Sequence, residues 1–342
     1  MDPVIVVSTG RCGSTLLSSM VRLHPDLLSL SEFFATMPRE LLFFEEDRLS
    51  GPRLWELLSD PPPRGVTEMI RLGIGVDELL YRPGPPARFT VETGIPPVLL
   101  ITLPHLVDDP DALYDELAAW VPGLDPRPPS EQLHRLFAWL CERLGRRVWV
   151  ERSGSSMGYV GQLVARFPEA RIVHLHRDGR DCAVSMSRHG LYKMQHVAQR
   201  FQETLGMRHP FAGGDVPANV PDELRRFLPG SFDAEAFRHL EAPVEEMGRR
   251  WSNMVVAGCR ELARLPGDRV LPIGYEALTA RPADTLRRLA RFIGVAEDER
   301  WLRDAAALAR PLPPRWTELA DPERSRLVEV CAPGMRLLYD SP

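Results

Sequence analysis

The chain has 342 residues, 44% of them hydrophobic and 26% charged, with a formal net charge of −5. That is enough chain for a large core, and its acidic balance gives no general pull towards nucleic acid, so a basic ligand site would have to be local. No apolar run approaches the roughly 20 residues that a bilayer span needs. No basic leader precedes the first apolar run, so a cytoplasmic protein without a membrane span is expected.

The first apolar run, Val4 to Val7, suits a buried parallel strand. Gly10 and Gly13 then permit a tight turn, and Ser14 and Thr15 open a helix over about 14–24. Strand, glycine-bearing loop and helix N-terminus together build an anion site, and Arg11 inside the turn adds a fixed charge. His24-Pro25-Asp26 breaks the helix, and Leu27 to Ser31 reads as a second strand with Glu32 at its carboxyl end. Helical patterns follow around 38–48, 53–59 and 66–81. Phe89 to Val91 fits an edge strand, and Pro96-Pro97 opens a loop or a helix. Helices over 110–120 and 130–144 flank a proline-rich turn.

From Arg147 the pattern alternates cleanly: strand 147–151, helix 157–167, strand 171–176, helix 179–189. That rhythm predicts a parallel sheet covered by helices on both faces. Residues 190–245 carry Pro210, Gly213-Gly214, Pro217, Pro221 and Pro229-Gly230 between short helical fragments, the composition of a lid insertion. A helix over 243–265, a strand from Val270 to Ile273, helices over 282–293 and 297–309 and a loop-rich tail complete the chain. The expected fold is a single α/β domain over 1–342, with a P-loop-like nucleotide site and a lid over 190–245.

Chemistry-bearing residues gather at the carboxyl ends of the predicted strands, where open α/β sheets bind ligands. They are the loop Thr9 to Thr15, Glu32, Glu151-Arg152-Ser153-Gly154, and Arg177-Asp178-Gly179-Arg180. Ser185 lies two helical turns beyond Arg177, and Tyr275 ends the last strand. Arginines, hydroxyls and one carboxylate delivered to one edge describe a polyanion pocket containing a base. A Walker loop would need lysine where Gly13 stands, and the only lysine is the distant Lys193, which weighs against a P-loop kinase.

These motifs resemble those of sulfotransferases that use 3′-phosphoadenosine 5′-phosphosulfate, most of all the branch with tyrosylprotein sulfotransferases and related bacterial enzymes. The likeness runs from Val4 to about Gly294 and is loose over 40–130 and the lid. Thr9-Gly-Arg-Cys-Gly-Ser-Thr15 is similar to the family's 5′-phosphosulfate loop, implying donor contacts from Arg11, Cys12, Gly13, Ser14 and Thr15. Arg177 to Ser185 resembles the segment whose arginine and serine hold the 3′-phosphate. Gly274-Tyr275-Glu276 resembles the late unit whose tyrosine lies near the nucleotide.

The resemblance implies metal-independent in-line transfer of a sulfuryl group to a hydroxyl. Glu32 would act as general base, and Arg11 and Arg152 would stabilise developing charge. His105 is the alternative base. Arg152 stands where the family often has lysine, and the family's glycine-rich C-terminal nucleotide segment has no match, leaving Arg310, Arg315 and Arg324 open. The acceptor is expected to be a small-molecule or carrier-bound hydroxyl. The alternative reading is a catalytically silent nucleotide- or anion-binding protein.

Bland roles compete for several residues. Glu32 could cap the segment that follows it, His174 and His176 share one strand face and suit core hydrogen bonding, and Phe33-Phe34 and Phe43-Phe44 fit core as well as an acceptor pocket. Five scattered cysteines fit reduced thiols. The arginine-for-lysine bias suggests a GC-rich bacterial genome.

Overall fold

The computed structural model describes residues 2–38, 41, 47–61, 66–82, 88–207, 210–211 and 219–339. Five parallel strands, β1 (Val4–Val7), β2 (Leu27–Ser31), β3 (Val148–Arg152), β4 (Arg171–His176) and β5 (Val270–Gly274), form one sheet in the order β2-β3-β1-β4-β5. Helices flank it, giving the expected α/β architecture. The helices that position the site are α1 (Ser14–Arg22), α2 (Phe33–Thr36), α3 (Val66–Arg71), α4 (Gly179–Arg188), α5 (Gly190–Leu205), α6 (Val244–Leu262), α7 (Tyr275–Ala280) and α8 (Asp321–Tyr339). Among the described residues, no helix is long and apolar enough to cross a membrane.

Side-chain alternation along the strands sorts the core into two layers. Ile5 and Val7 join Leu28, Leu30 and Trp149 on one face. Val4 and Val6 join Leu27, Val148 and Val150 on the other. Strand order then fixes the crevice. From β1 the chain leaves towards β2, and from the adjacent β4 it leaves towards β5, so the carboxyl ends of β1 and β4 diverge at the switch point of the sheet.

Several local expectations are corrected. Phe89 to Val91 is not an edge strand: Thr90 and Thr93 bond each other's backbone N–H groups at 2.9 and 3.3 Å, a turn that competes with a ladder. The helix expected over 66–81 stops at Arg71, because Gly73 turns at φ +72°. Residues 190–245 open with the 16-residue α5, ended by Gly206 in the left-handed region, rather than with short fragments. Met194, Val197 and Phe201 of α5 share an apolar cluster with Met69, Phe227 and Phe237. The 38–48 helix and Phe43-Phe44 lie mostly or wholly outside the described residues.

The tail expected to be loop-rich is irregular only to residue 320 and then forms the 19-residue α8, which runs through Pro333. Tertiary packing overrides the breaker here. The Gly334 N–H donates to Ser252 Oγ at 3.0 Å, and a Cβ on Gly334 would meet the Trp251 ring at 2.6 Å. Trp251, fully buried on α6, also abuts Gly179 at the start of α4, where a Cβ would lie 2.3 Å from the ring. One indole therefore seats the α4 N-terminus and α8 together. Trp251→Ala is expected to cost about 3–5 kcal/mol of unfolding free energy, measured by chemical denaturation; a loss below about 1 kcal/mol would show that this packing is not limiting.

Glu151 of β3 is completely buried beside Trp149. Its Oε1 accepts from Ser153 Oγ and from the Phe34 N–H at 3.4 Å, while Oε2 has no partner. Burial pushes the carboxyl from its ordinary 4.5 up to about 8, outweighing those hydrogen bonds. The folded state thus holds a proton that the unfolded chain releases above pH 4.5, so stability falls as pH rises through about 8. Glu151→Gln should flatten that slope between pH 5 and 9 in denaturation experiments, gaining on the wild type as pH rises. Parallel slopes would contradict the buried proton.

Candidate functional site

The loop between β1 and α1 is clasped by two aromatic rings. Gly10 and Gly13 take φ of +82° and +86°, and a Cβ on either would sit 2.3 Å from a tyrosine, Tyr192 Oη at Gly10 and Tyr275 Cδ2 at Gly13. Tyr192 on α5 fixes the loop further, its hydroxyl donating to the Thr9 carbonyl at 3.3 Å and pairing with Ser155 Oγ at 2.9 Å. Gly13 offers no side-chain cap to α1, so the first-turn N–H groups of Ser14, Thr15 and Leu16 have no intrahelical acceptor. Cys12 is fully buried in the core layer with its thiol pushed up by burial, so only its backbone can serve a ligand.

Arg11 itself sits at φ +55°. Its Nε donates to Ser185 Oγ at 3.0 Å, which joins the β1 loop to the second turn of α4, and its Nη1 donates to Glu78 Oε1 at 2.8 Å. Arg177, leaving β4, lies 4.5 Å over the Tyr275 ring, with Nη2 3.4 Å from Asp181 Oδ2 and Nη1 3.5 Å from the Arg11 carbonyl. Its Nε is buried without a partner. The structure therefore brings Arg11, Ser185, Arg177 and Tyr275 together at the β1–β4 crevice.

Asp181 also accepts the N–H groups of Arg315 and Trp316 at 2.8 and 3.3 Å, so the chain before α8 is tied over this end of the crevice. Of the three arginines left open by the sequence, Arg315 lines the cavity. Arg310 binds the carbonyls of Ala307 and Ala309, and Arg324 pairs with Asp321. Arg180 pairs with Asp178 and stacks 3.9 Å over Trp316.

At the ends of β2 and β3, Glu32 holds φ +56° and does not cap α2 with its side chain. Its Oε1 takes Arg152 Nη1 and its Oε2 takes the Gly154 N–H at 2.8 Å. Arg152, only 2% exposed, spends its other donors on Ser18 Oγ at 3.0 Å and Ser31 Oγ at 2.6 Å. Glu32 lines the cavity and Arg152 stands behind it. His105 is not on the cavity wall. Its Nε2 lies 3.2 Å from Ser29 Oγ, and burial pulls its imidazole down to about 4. Phe33 and Phe34 are core, as is His174, which burial pulls down to about 3.

These groups open onto one cavity of about 550 Å³, shared by the β1 loop, Glu32, Arg177, Ser185, Tyr275 and Arg315. Sequence reading missed Glu78 and Tyr192. Glu78 bridges Arg11 and His189, whose Nε2 is 2.8 Å from the same Oε1. Burial pushes the Glu78 carboxyl up, but the His189 hydrogen bond and the charges of His189 and Arg11 outweigh it and hold it at about 2. No local pattern announces a partner 67 residues from Arg11.

No curated protein matches the chain. Among solved structures, it is similar to the sulfotransferase STF9 from Mycobacterium avium (17% identity, 98% of this chain and 76% of that one, TM-score 0.47). It is also similar to the sulfotransferase domain of the Synechococcus PCC 7002 olefin synthase (18% identity, 100% and 96%, TM-score 0.44) and to that from the curacin biosynthetic pathway (15% identity, 97% and 98%, TM-score 0.44). Residues 125–210, which contain β3, β4, α4 and α5, match the family model described as Sulfotransferase family. Over that segment the chain is similar to the sulfotransferase family.

Proposed function

We propose that the protein moves a sulfuryl group from 3′-phosphoadenosine 5′-phosphosulfate to an acceptor hydroxyl, within one domain in which α5, the start of the expected lid, reaches the site through Leu191 and Tyr192. The observation that carries this reading is the convergence of two arginines, Arg11 and Arg177, with Ser185 and an uncapped helix N-terminus on the crevice that Glu32 also lines. A bis-anionic nucleotide fits these residues: Arg177 Nε is a buried donor lacking an acceptor, and the missing Cβ of Gly13 lets the Tyr275 ring pack directly on the loop. The donor supplies the activated sulfuryl group.

In this reading Arg177 and Ser185 hold the 3′-phosphate, and Tyr275 packs beside the nucleotide. Arg11, with the backbone of Cys12 and Gly13 and the N–H groups of Ser14 and Thr15, holds the 5′ end and stabilises charge that grows there during in-line transfer. Arg315 supplies the positive charge that the sequence left unassigned near the C-terminus. Glu32 accepts the proton of the acceptor hydroxyl. Arg152 fixes the Glu32 carboxylate and adds positive potential behind it. His105 is the weaker choice of base, since it sits off the cavity wall. Val66, Met69, Val76, Ile101 and Leu191 give the cavity an aliphatic wall, which suits an acceptor with an apolar body. Without a lysine beside Ser14, the loop lacks the group with which Walker loops reach terminal phosphates; Lys193 instead donates to the Arg238 carbonyl at 2.9 Å.

Glu32→Gln should lower turnover by roughly 10²–10⁴-fold, while the dissociation constant of 3′-phosphoadenosine 5′-phosphate in calorimetry stays near that of the wild type. Wild-type turnover in that variant would remove Glu32 as the base. Arg177→Ala should instead weaken that nucleotide by roughly ten- to a hundredfold, the loss of charge-assisted hydrogen bonds; an unchanged constant would take Arg177 out of the site.

A further inference from the structure

Glu78 has no part in the transfer described above, yet it sits on the central arginine of the donor loop. It lies in the turn after α3, and its Oε1 accepts from Arg11 Nη1 and from His189 Nε2, each at 2.8 Å. The carboxylate is about three-quarters buried and stays ionised because those two partners outweigh the burial. Glu78 and Arg11 both line the cavity, so the carboxylate competes with any anion there for the same guanidinium. His189 gives Glu78 a second anchor: it is 12% exposed, packs edge-on against Tyr192, and keeps its own Nδ1 buried and unpartnered. Glu78 can therefore lose Arg11 and still keep a hydrogen-bond donor.

We propose that Glu78 is a displaceable counter-ion that sets donor affinity. In the ligand-free protein it neutralises Arg11. When the donor's anionic group reaches the loop, Arg11 turns Nη1 to that group and Glu78 keeps His189 alone. Ser185 holds Arg11 Nε throughout, so the guanidinium swings about one fixed bond. The same carboxylate then competes for Arg11 as the spent nucleotide leaves, which weakens product binding and speeds release. This inference rests on the donor site assigned under Proposed function.

The test is calorimetry with 3′-phosphoadenosine 5′-phosphate on the full chain. Glu78→Gln keeps an oxygen for Arg11 and His189 and removes only the charge. It should lower the dissociation constant by roughly three- to tenfold, the size expected for a partly exposed ion pair. Glu78→Ala should also tighten binding. Glu297→Gln, which removes a carboxylate paired with Arg291 outside the cavity, should change nothing. Unchanged or weaker binding in both Glu78 variants would overturn the proposal, as would equal tightening in Glu297→Gln. If the wild type binds the nucleotide and the Glu78 variants do not tighten it, only the role of Glu78 falls. If neither wild type nor variants bind it, the donor site falls as well.

Discussion

A buried guanidinium organises this end of the molecule. Arg152 is shut away from water, and a charge in that position is tolerable only when every donor finds an acceptor. Its acceptors come from three different elements: Ser18 in α1, Ser31 at the end of β2, and Glu32 just beyond it. Satisfying Arg152 therefore sets the register of β2 against β3, draws α1 to the strand ends, and forces Glu32 into a left-handed backbone conformation that aims its carboxylate at the cavity. Pairing with the buried guanidinium offsets the strain at Glu32.

Strain recurs nearby. Among the described residues, the non-glycine positions with positive φ are Arg11, Glu32 and Ser155, and all three line the same cavity. Such conformations persist only where surrounding contacts over-determine them. Here Arg11 is held by Ser185 and Glu78, Glu32 by Arg152 and Gly154, and Ser155 by Tyr192. The backbone of a site built this way is fixed by its own contacts, while the Arg11 guanidinium can still exchange one partner for another.

The sheet was legible because buried parallel strands are short and rich in apolar residues: β1 is an unbroken apolar run, and β2 and β4 are apolar runs interrupted by Ser29 and by His174. Which residues reach the crevice followed from the strand ends. What those residues face did not. Strand parity puts Arg152 and Glu151 on opposite faces, but only the folded chain pairs one with Ser18 and strands the other beneath Phe34. The tail was expected to be loop-rich because a local rule cannot see Ser252 and Trp251 on α6, against which Gly334 packs. Glu78, Tyr192 and Arg315 were invisible or undecided for the same reason: each meets a residue far away in sequence, through a contact that no spacing encodes.

The account turns on whether arginines and main-chain N–H groups grip a doubly phosphorylated adenosine in this crevice. Calorimetry of 3′-phosphoadenosine 5′-phosphate against the wild-type protein, with a chelator removing divalent ions, tests that directly. Saturable binding that survives the chelator and outcompetes ATP is the predicted result. No heat with that nucleotide, together with clear binding of magnesium-loaded ATP, would contradict it.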